Sequence, residues 1–150
     1  VVRAADLSDD GGGVSIAEHG EDSLVAWRRK AASGGVRVAV AGRSGAPSGQ
    51  STFDPGHRVS SPVTDVGPDG IGVVAWIRGT GARASVLASV RPSRGVSWTR
   101  PRILARGRID IARPPAVAVD GAGRITALWS RKVGKRYVIE RADLPRSALG

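Results

Sequence analysis

A tryptophan followed two positions later by an arginine is the chemical pattern that recurs most regularly in this chain. It occurs as Trp27 with Arg29, Trp76 with Arg78, and Trp129 with Arg131. Residues i and i+2 of a β-strand project from the same face, so each guanidinium group can lie beside or over its own indole ring. The planar guanidinium group also matches the oxygen atoms of a carboxylate, sulfate or phosphate. Arg29, Arg78 and Arg131 are therefore the candidate ligand-binding residues. Two roles stay open for them: a shared anion site if their heads converge, or stacking that stabilises each repeat.

The remaining reactive side chains form no recognisable catalytic or metal-binding set. The two histidines, His19 and His57, do not have the spacing typical of metal ligands, and there is no cysteine for a thiolate site or a disulfide bond. The acidic residues at positions 9–10 and 18–22 are interpreted as solvated loops, and the alternative is a calcium loop at residues 9–13. Tyr137 and Glu140 project from opposite faces of a predicted strand, so they do not form a nucleophile and its base. We predict no catalytic residue, no metal site and no cofactor.

The chain is strongly basic, with 23 arginine and lysine residues against 13 acidic ones and a formal net charge of +10. The basic residues are spread over the whole length without a block of like charge, which argues against nucleic acid as the partner. The charge instead favours acidic glycans or other anions as ligands. No apolar run has the length of a membrane span, so no transmembrane segment is predicted.

The three tryptophans belong to three repeated units, because 49 and 53 residues separate them. Each tryptophan ends a short run of β-forming residues, and a glycine-containing turn joins this run to an alternating segment upstream. A further β-rich segment follows each tryptophan. A fourth segment is expected in the first two units, at residues 57–60 and 101–104, and the long stretch 42–55 is expected to be a loop. No segment keeps the apolar period of a helix, so we expect little helix.

These segments predict an all-β chain of three four-stranded antiparallel propeller-type blades in a single domain, residues 1–150. The blades are expected at about 8–60, 61–107 and 108–145. The third unit ends without a fourth strand, and residues 1–7 are expected to form a strand that completes a neighbouring blade. A propeller ring needs about four to eight blades. The chain is therefore either half of a six-bladed ring, closed by a second copy as a homodimer, or an excerpt of a larger propeller whose missing blades belong to a longer chain.

The second unit contains the stretch Ser93-Arg94-Gly95-Val96-Ser97-Trp98, which resembles the Asp-box, or bacterial neuraminidase repeat, of the sialidase-like propellers. That motif reads Ser/Thr-x-Asp-x-Gly-x-x-Trp and lies at the turn between the third and fourth strands of a blade. Gly95 and Trp98 match it, whereas Ser93 stands at the aspartate position and Arg91 at the leading Ser/Thr position. The resemblance implies a β-propeller, favours an extracellular or cell-surface location, and suggests a family in which arginines bind a substrate carboxylate.

A non-catalytic binding or scaffolding module is the function that these features favour, with a ligand that they do not identify. The alternative is a glycan-handling propeller, either a lectin-like binder or a fragment of a sialidase-like glycosidase. A lectin needs exposed aromatic side chains in its loops, yet the chain has six aromatic residues and most are at strand positions. Trp27, Trp76 and Trp129 are predicted to occupy equivalent, largely buried positions in successive blades, because the same register repeats around them.

Overall fold

The computed structural model describes residues 12–29, 34–41 and 47–144. The strands of this part of the chain form three antiparallel sheets that follow one another along the sequence. The first sheet is arranged in chain order as β1 (Val14–His19), β2 (Asp22–Arg28), β3 (Val36–Ala41) and β4 (Pro47–Phe53). The second repeats this order with β5 (Val63–Val66), β6 (Gly72–Arg78), β7 (Ala84–Arg91) and β8 (Arg102–Gly107). The third contains β9 (Ala116–Val119), β10 (Ile125–Val133) and β11 (Arg136–Leu144).

Tight turns join consecutive strands where glycine permits a backbone with positive φ. The pairing of β1 with β2 leaves Gly20 and Glu21 as a two-residue turn, and Gly20 has a φ of 60°. β10 and β11 meet in the same way around Gly134, whose φ is also 60°. Helical geometry in the described residues is confined to two short 3-10 turns, Pro68–Gly70 and Gly81–Arg83.

The core forms where the apolar faces of neighbouring sheets pack on each other. Val38 of the first sheet and Trp76 of the second belong to one buried cluster, and Ile77 and Trp129 belong to another between the second and third sheets. β7 is therefore buried along its whole length, because its sheet is covered on both faces. The first strands also contact one another, β1 with β5 and β5 with β9. This is the arrangement of blades around a propeller axis.

The structure confirms the predicted all-β fold of propeller-type blades. Its antiparallel sheets have four, four and three strands, and the third sheet has no fourth strand within the described residues. Each repeated tryptophan lies on the second strand of its sheet. The prediction that all three are buried is also confirmed, since the exposed fractions of Trp27, Trp76 and Trp129 are 2%, 0% and 6%.

The fourth strand of the first sheet lies earlier in the chain than the sequence predicted. It is β4, inside the stretch interpreted as a loop, whereas residues 57–60 belong to the connection to the second sheet, where Val59 forms a single bridge with Arg78. The assignment was wrong because β4 reads Pro-Ser-Gly-Gln-Ser-Thr-Phe and carries almost no apolar signal. Phe53, its last residue, joins the core. The strand expected at residues 1–7 lies outside the described residues.

Two sheet faces are not covered by another sheet of the described chain. Val14 and Ile16 are exposed on the face of the first sheet that points away from the second. Leu128 and Ile139 are exposed on the corresponding outer face of the third sheet. In the second sheet the equivalent positions face a neighbouring sheet, so within the described chain these outer faces are unpaired blade faces.

Candidate functional site

In the second sheet, Trp76 and Arg78 hold one carboxylate group between them. The indole Nε1 of Trp76 donates a hydrogen bond to Oδ2 of Asp54 at 2.7 Å, and Nη1 of Arg78 donates to Oδ1 at 3.0 Å. Asp54 directly follows β4 of the preceding sheet, so the interaction also joins two blades. Hydrogen bonds between charged groups are among the stronger ones in proteins. We call a Trp-x-Arg pair that binds one carboxylate in this manner a clamp.

The third sheet contains a second clamp with a carboxylate from a different place. Trp129 donates from Nε1 to Oε2 of Glu140 at 2.6 Å, and Arg131 donates from Nε to Oε1 at 2.6 Å. Glu140 stands directly opposite Trp129 in the pairing of β10 with β11. Arg131 also donates from Nη1 to the backbone oxygen of Arg106 at 2.7 Å, which ties this clamp to β8 of the second sheet.

The clamp lowers the pKa of Glu140, and the hydrogen bond from Arg131 is the main cause. A pKa that is lower in the folded than in the unfolded state stabilises the fold at neutral pH. That stabilisation is lost as the pH falls from the ordinary value of 4.5 through the folded-state pKa. We expect the difference in unfolding free energy between the wild-type chain and Glu140→Gln to be constant above about pH 6 and to shrink toward about pH 3. Urea denaturation across this range measures it, and an unchanged difference at the acid end would contradict the assignment.

The first sheet repeats the tryptophan and the arginine, and its indole N–H differs from those of the other two sheets. Trp27 is almost fully buried, and its Nε1 has no hydrogen-bond acceptor among the described residues. The residue opposite Trp27 on β3 is Arg37, at the position where the third sheet has Glu140. Within the described residues, the first sheet thus has a buried N–H donor without an acceptor and a basic residue at the position that Glu140 occupies in the third sheet.

The structure places Arg78 and Arg131 in different sheets, each on a separate carboxylate of its own chain. Each of these two arginines shares a carboxylate with its own tryptophan, and the sequence interpretation missed that carboxylate. Asp54 lies 22 residues before its tryptophan, and Glu140 lies 11 residues after its own. No repeated spacing marks the two acids, so the repeat alone could not reveal them.

A second candidate site is a cavity of about 470 Å³ lined by residues of the first and second sheets. Asp22 begins β2 and is 5% exposed. Its Oδ2 accepts hydrogen bonds from Nη2 and Nε of Arg94 at 2.9 and 3.2 Å, and its Oδ1 lies 3.5 Å from Nη2 of Arg91. Arg91 is also buried, and its Nε donates to the backbone oxygen of Gly70 at 3.0 Å. These contacts fix the polar floor of the cavity.

The loop between β7 and β8 forms one wall of this cavity. Trp98 of this loop is half-buried and contacts Phe53 edge-on, with the ring centroids 5.9 Å apart. Gly95 has a φ of 76°, which lets the loop turn. Glu21 and Arg94 reach solvent, with 52% and 60% of their side chains exposed. The cavity therefore combines an aromatic side chain with polar groups of both charges.

Burial lowers the pKa of Arg91 against the opposing influence of Asp22, and the hydrogen bond to Asp22 raises the pKa of Arg94. Both guanidinium groups remain charged at neutral pH. Since Glu21 and Asp22 balance them, the formal charges of the described residues that line the cavity cancel. The interpretation of residues 18–22 as a solvated loop was wrong for Asp22, because its partner Arg91 lies 69 residues away and nothing in the sequence connects them.

The histidines and acids of the described chain do not assemble a metal site. His19 is exposed, and Nδ1 of His57 lies 3.1 Å from the backbone oxygen of Pro55. No group of three or more potential metal ligands comes together in this part of the chain. None of its helical segments is long and apolar enough to cross a membrane.

No protein-family model matches the chain, and no curated protein matches it in sequence. Among solved structures, the chain is similar to a xylan β-1,4-xylosidase from Bacillus halodurans C-125, with a TM-score of 0.54 and 14% sequence identity. The similarity covers 87% of this chain and 29% of the xylosidase chain, so this chain spans less than a third of that protein's length. At this identity the similarity concerns the fold alone. It agrees with the three stacked sheets and defines the chain as a propeller-type all-β protein.

Proposed function

We propose that the chain is a non-catalytic, propeller-type binding module whose cavity between the first and second sheets takes a neutral saccharide. The observation that supports this proposal most directly is that Trp98, Glu21 and Arg94 all line that cavity. An aromatic side chain offers an apolar face to a sugar ring, and the carboxylate and guanidinium groups offer an acceptor and donors to hydroxyl groups. The balanced charge favours a neutral ligand over an acidic one at this place.

The carboxyl groups of the cavity support a binding role over catalysis. Most glycosidases need two carboxyl groups separated by about 5–10 Å, one of which gives a proton to the leaving group. Asp22 is buried and accepts hydrogen bonds from two arginines, so among the described residues that line the cavity Glu21 carries the exposed carboxyl group. A binding module needs no second reactive carboxyl group.

A glycosidase propeller is the second candidate, and the structural similarity to a xylosidase favours it. In that case other blades of the ring would supply the second carboxyl group. A sialidase-like activity rests on the partial Asp-box at Ser93–Trp98 and on arginines that receive a substrate carboxylate. Arg78 and Arg131 already bind Asp54 and Glu140, so these two arginines do not favour that reading.

Titration with xylotriose, followed by calorimetry, tests the saccharide proposal. We expect saturable binding that weakens about tenfold in Arg94→Gln and in Trp98→Leu, since each removes one contact surface. Arg124→Gln is the matched control, because Arg124 forms an exposed ion pair with Asp120 outside the cavity. Binding that both cavity variants leave unchanged would contradict the proposal. Release of reducing sugar that disappears in Glu21→Gln would establish the glycosidase instead.

The unpaired blade faces support assembly with further blades as part of this proposal. Val14 and Ile16 on one side and Leu128 and Ile139 on the other are apolar side chains that the next blade of a ring would cover. A second copy closing a six-bladed ring and additional blades of a longer chain both meet this requirement. The mass of the chain in solution separates the two, since only the first predicts a dimer.

A further inference from the structure

Another cavity, of about 450 Å³, lies between turns of the second and third sheets. Its volume is within the range of about 300–1,000 Å³ that is usual for small-molecule pockets. None of the described residues that line it also lines the cavity beside Trp98, so the two are separate sites. These residues come from the connection between β6 and β7 (Gly81 and Ala82), the connection between β8 and β9 (residues 108–111), and the hairpin of β10 and β11 (Lys132, Gly134 and Tyr137).

The connection between β8 and β9 is held on β10, which gives the cavity a fixed wall. The backbone N–H of Asp110 donates to the backbone oxygen of Ser130 at 2.8 Å, and the backbone N–H of Lys132 donates to that of Arg108 at 2.9 Å. Between these two hydrogen bonds, Ile109 is buried in the core between the second and third sheets. Arg108 and Asp110 are therefore carried by backbone that the third sheet positions.

Tyr137 gives this cavity an aromatic ring that solvent reaches. It stands opposite Lys132 in the pairing of β10 with β11, and 52% of its surface is exposed. The guanidinium carbon of Arg113 lies 5.8 Å from the centre of the ring, and the exposed side chain of Ile111 adds a second apolar surface. A tyrosine combines an apolar ring face with a hydroxyl group that donates and accepts hydrogen bonds. These groups suit a ligand ring that has both C–H faces and hydroxyl groups.

The positive charge of this cavity is not balanced by the described residues that line it. Arg108 and Lys132 are exposed, and neither forms an ion pair with a described acid. The acid among these lining residues is Asp110, whose side chain is 11% exposed. Its Oδ1 accepts a hydrogen bond from the backbone N–H of Ala112 at 3.1 Å, and its Oδ2 lies 3.6 Å from Nε of Arg113. Asp110 thus has partners of its own, and the two cations are left to a ligand.

We propose that this cavity binds the carboxylate-bearing ring of an acidic sugar. Arg108 and Lys132 bind the carboxylate, since a guanidinium group matches its two oxygen atoms and an ammonium group adds a second charge. The sugar ring packs against Tyr137. An aromatic acid fits less well, because the large exposed apolar surface of the described lining residues comes from Tyr137 and Ile111 alone. The site does not depend on the neutral saccharide proposed for the cavity beside Trp98.

Titration of the 15N-labelled chain with glucuronate and with glucose tests this assignment, because the two sugars differ in the carboxylate. We expect glucuronate to move the backbone amide signals of Gly81 and Gly134 in a saturable manner, while the indole signal of Trp98 in the other cavity stays in place. Glucose should leave both amide signals unchanged. Affinity for glucuronate should fall about tenfold in Arg108→Gln and in Lys132→Gln, since each removes a charge-assisted hydrogen bond.

Two replacements at one position test the contact with the ring. Tyr137→Phe keeps the ring and should retain most of the affinity for glucuronate, whereas Tyr137→Ala should lose about tenfold. Arg136→Gln is the matched control, because it removes a positive charge one residue from Tyr137. Arg136 projects from the other face of β11 and does not line the cavity, so this variant should bind glucuronate as the wild-type chain does.

Four outcomes would overturn the proposal. Equal responses to glucose and glucuronate would remove the carboxylate from the recognition. Binding of acetate, a carboxylate without a ring, as tightly as glucuronate would remove the sugar. Tighter binding of benzoate than of glucuronate would make the ligand an aromatic acid. Equal losses of affinity in Arg136→Gln and in Lys132→Gln would show an effect of net charge in place of a site.

Discussion

Replacement of Trp76 by alanine is expected to lower the free energy of unfolding by about 3–5 kcal/mol, as for other large aromatic residues in protein cores. The ring is fully buried between the first and second sheets and stacks on Phe53, with the ring centroids 5.5 Å apart. Truncation leaves a cavity at the centre of the contact between two blades. It also removes the N–H donor from the buried carboxylate of Asp54. Urea denaturation followed by circular dichroism measures the loss.

Trp76→Phe separates packing from the hydrogen bond. Phenylalanine keeps much of the apolar burial but has no N–H group, so Asp54 retains Arg78 and loses its indole donor. We expect a smaller loss, about 1–3 kcal/mol, which is typical when a buried polar group loses a partner. Val14→Ala, on the exposed face of the first sheet, is the control and should change stability little. A loss in Trp76→Ala no larger than in Trp76→Phe would place Trp76 outside the core.

The repeated tryptophans made the fold predictable from the sequence. Trp27, Trp76 and Trp129 each end an alternating run that follows a turn, and a fixed register around a large apolar residue leaves few ways to bury it. Periodicity and turn residues are signals carried by residues close together in the sequence. The strands of each sheet also pair with their neighbours in the sequence, so these signals are enough to predict their order.

The candidate sites were harder to predict because they depend on contacts between sheets. Asp22 meets Arg91 and Arg94 only after the first two blades have packed together. Asp54 reaches Trp76 across the same boundary. β4 escaped prediction for a related reason, since an edge strand with polar side chains is fixed by backbone pairing to β3 rather than by an apolar pattern. The partial Asp-box was the one local signal that pointed to the cavity, through Trp98.

The outer face of the third sheet, which no other described sheet covers, has polar groups where the second sheet has apolar ones. Val90 of the second sheet faces the third sheet and is buried. The equivalent position of the third sheet is Asp143, which accepts hydrogen bonds from Thr126 and Arg141, both at 2.9 Å. A partner on this face would therefore have to match polar groups as well as the exposed Leu128.

Replacement of Asp22 by leucine is expected to cost about 3–5 kcal/mol, because it leaves the buried guanidinium group of Arg91 without its acidic partner. Arg91 is 4% exposed and would keep its hydrogen bond to the backbone oxygen of Gly70. Arg94 is largely exposed and can turn to water, so its loss of Asp22 contributes little. The loss of stability thus comes mainly from the uncompensated buried charge of Arg91, and the lost hydrogen bonds of Arg94 contribute little.

Replacing Arg91 instead of Asp22 should lower the stability by a different amount, and this difference identifies the source of the loss. In Arg91→Leu the carboxylate of Asp22 keeps both hydrogen bonds from Arg94, so we expect a smaller loss than in Asp22→Leu. The double variant Asp22→Leu/Arg91→Leu removes both buried charges and should recover much of the stability that Asp22→Leu loses, since replacing a buried ion pair by apolar residues is often neutral. Asp143→Leu, at an exposed ion pair, is the control. If the double variant were less stable than Asp22→Leu, the uncompensated charge of Arg91 would not be the source of the loss, and packing around Asp22 would be.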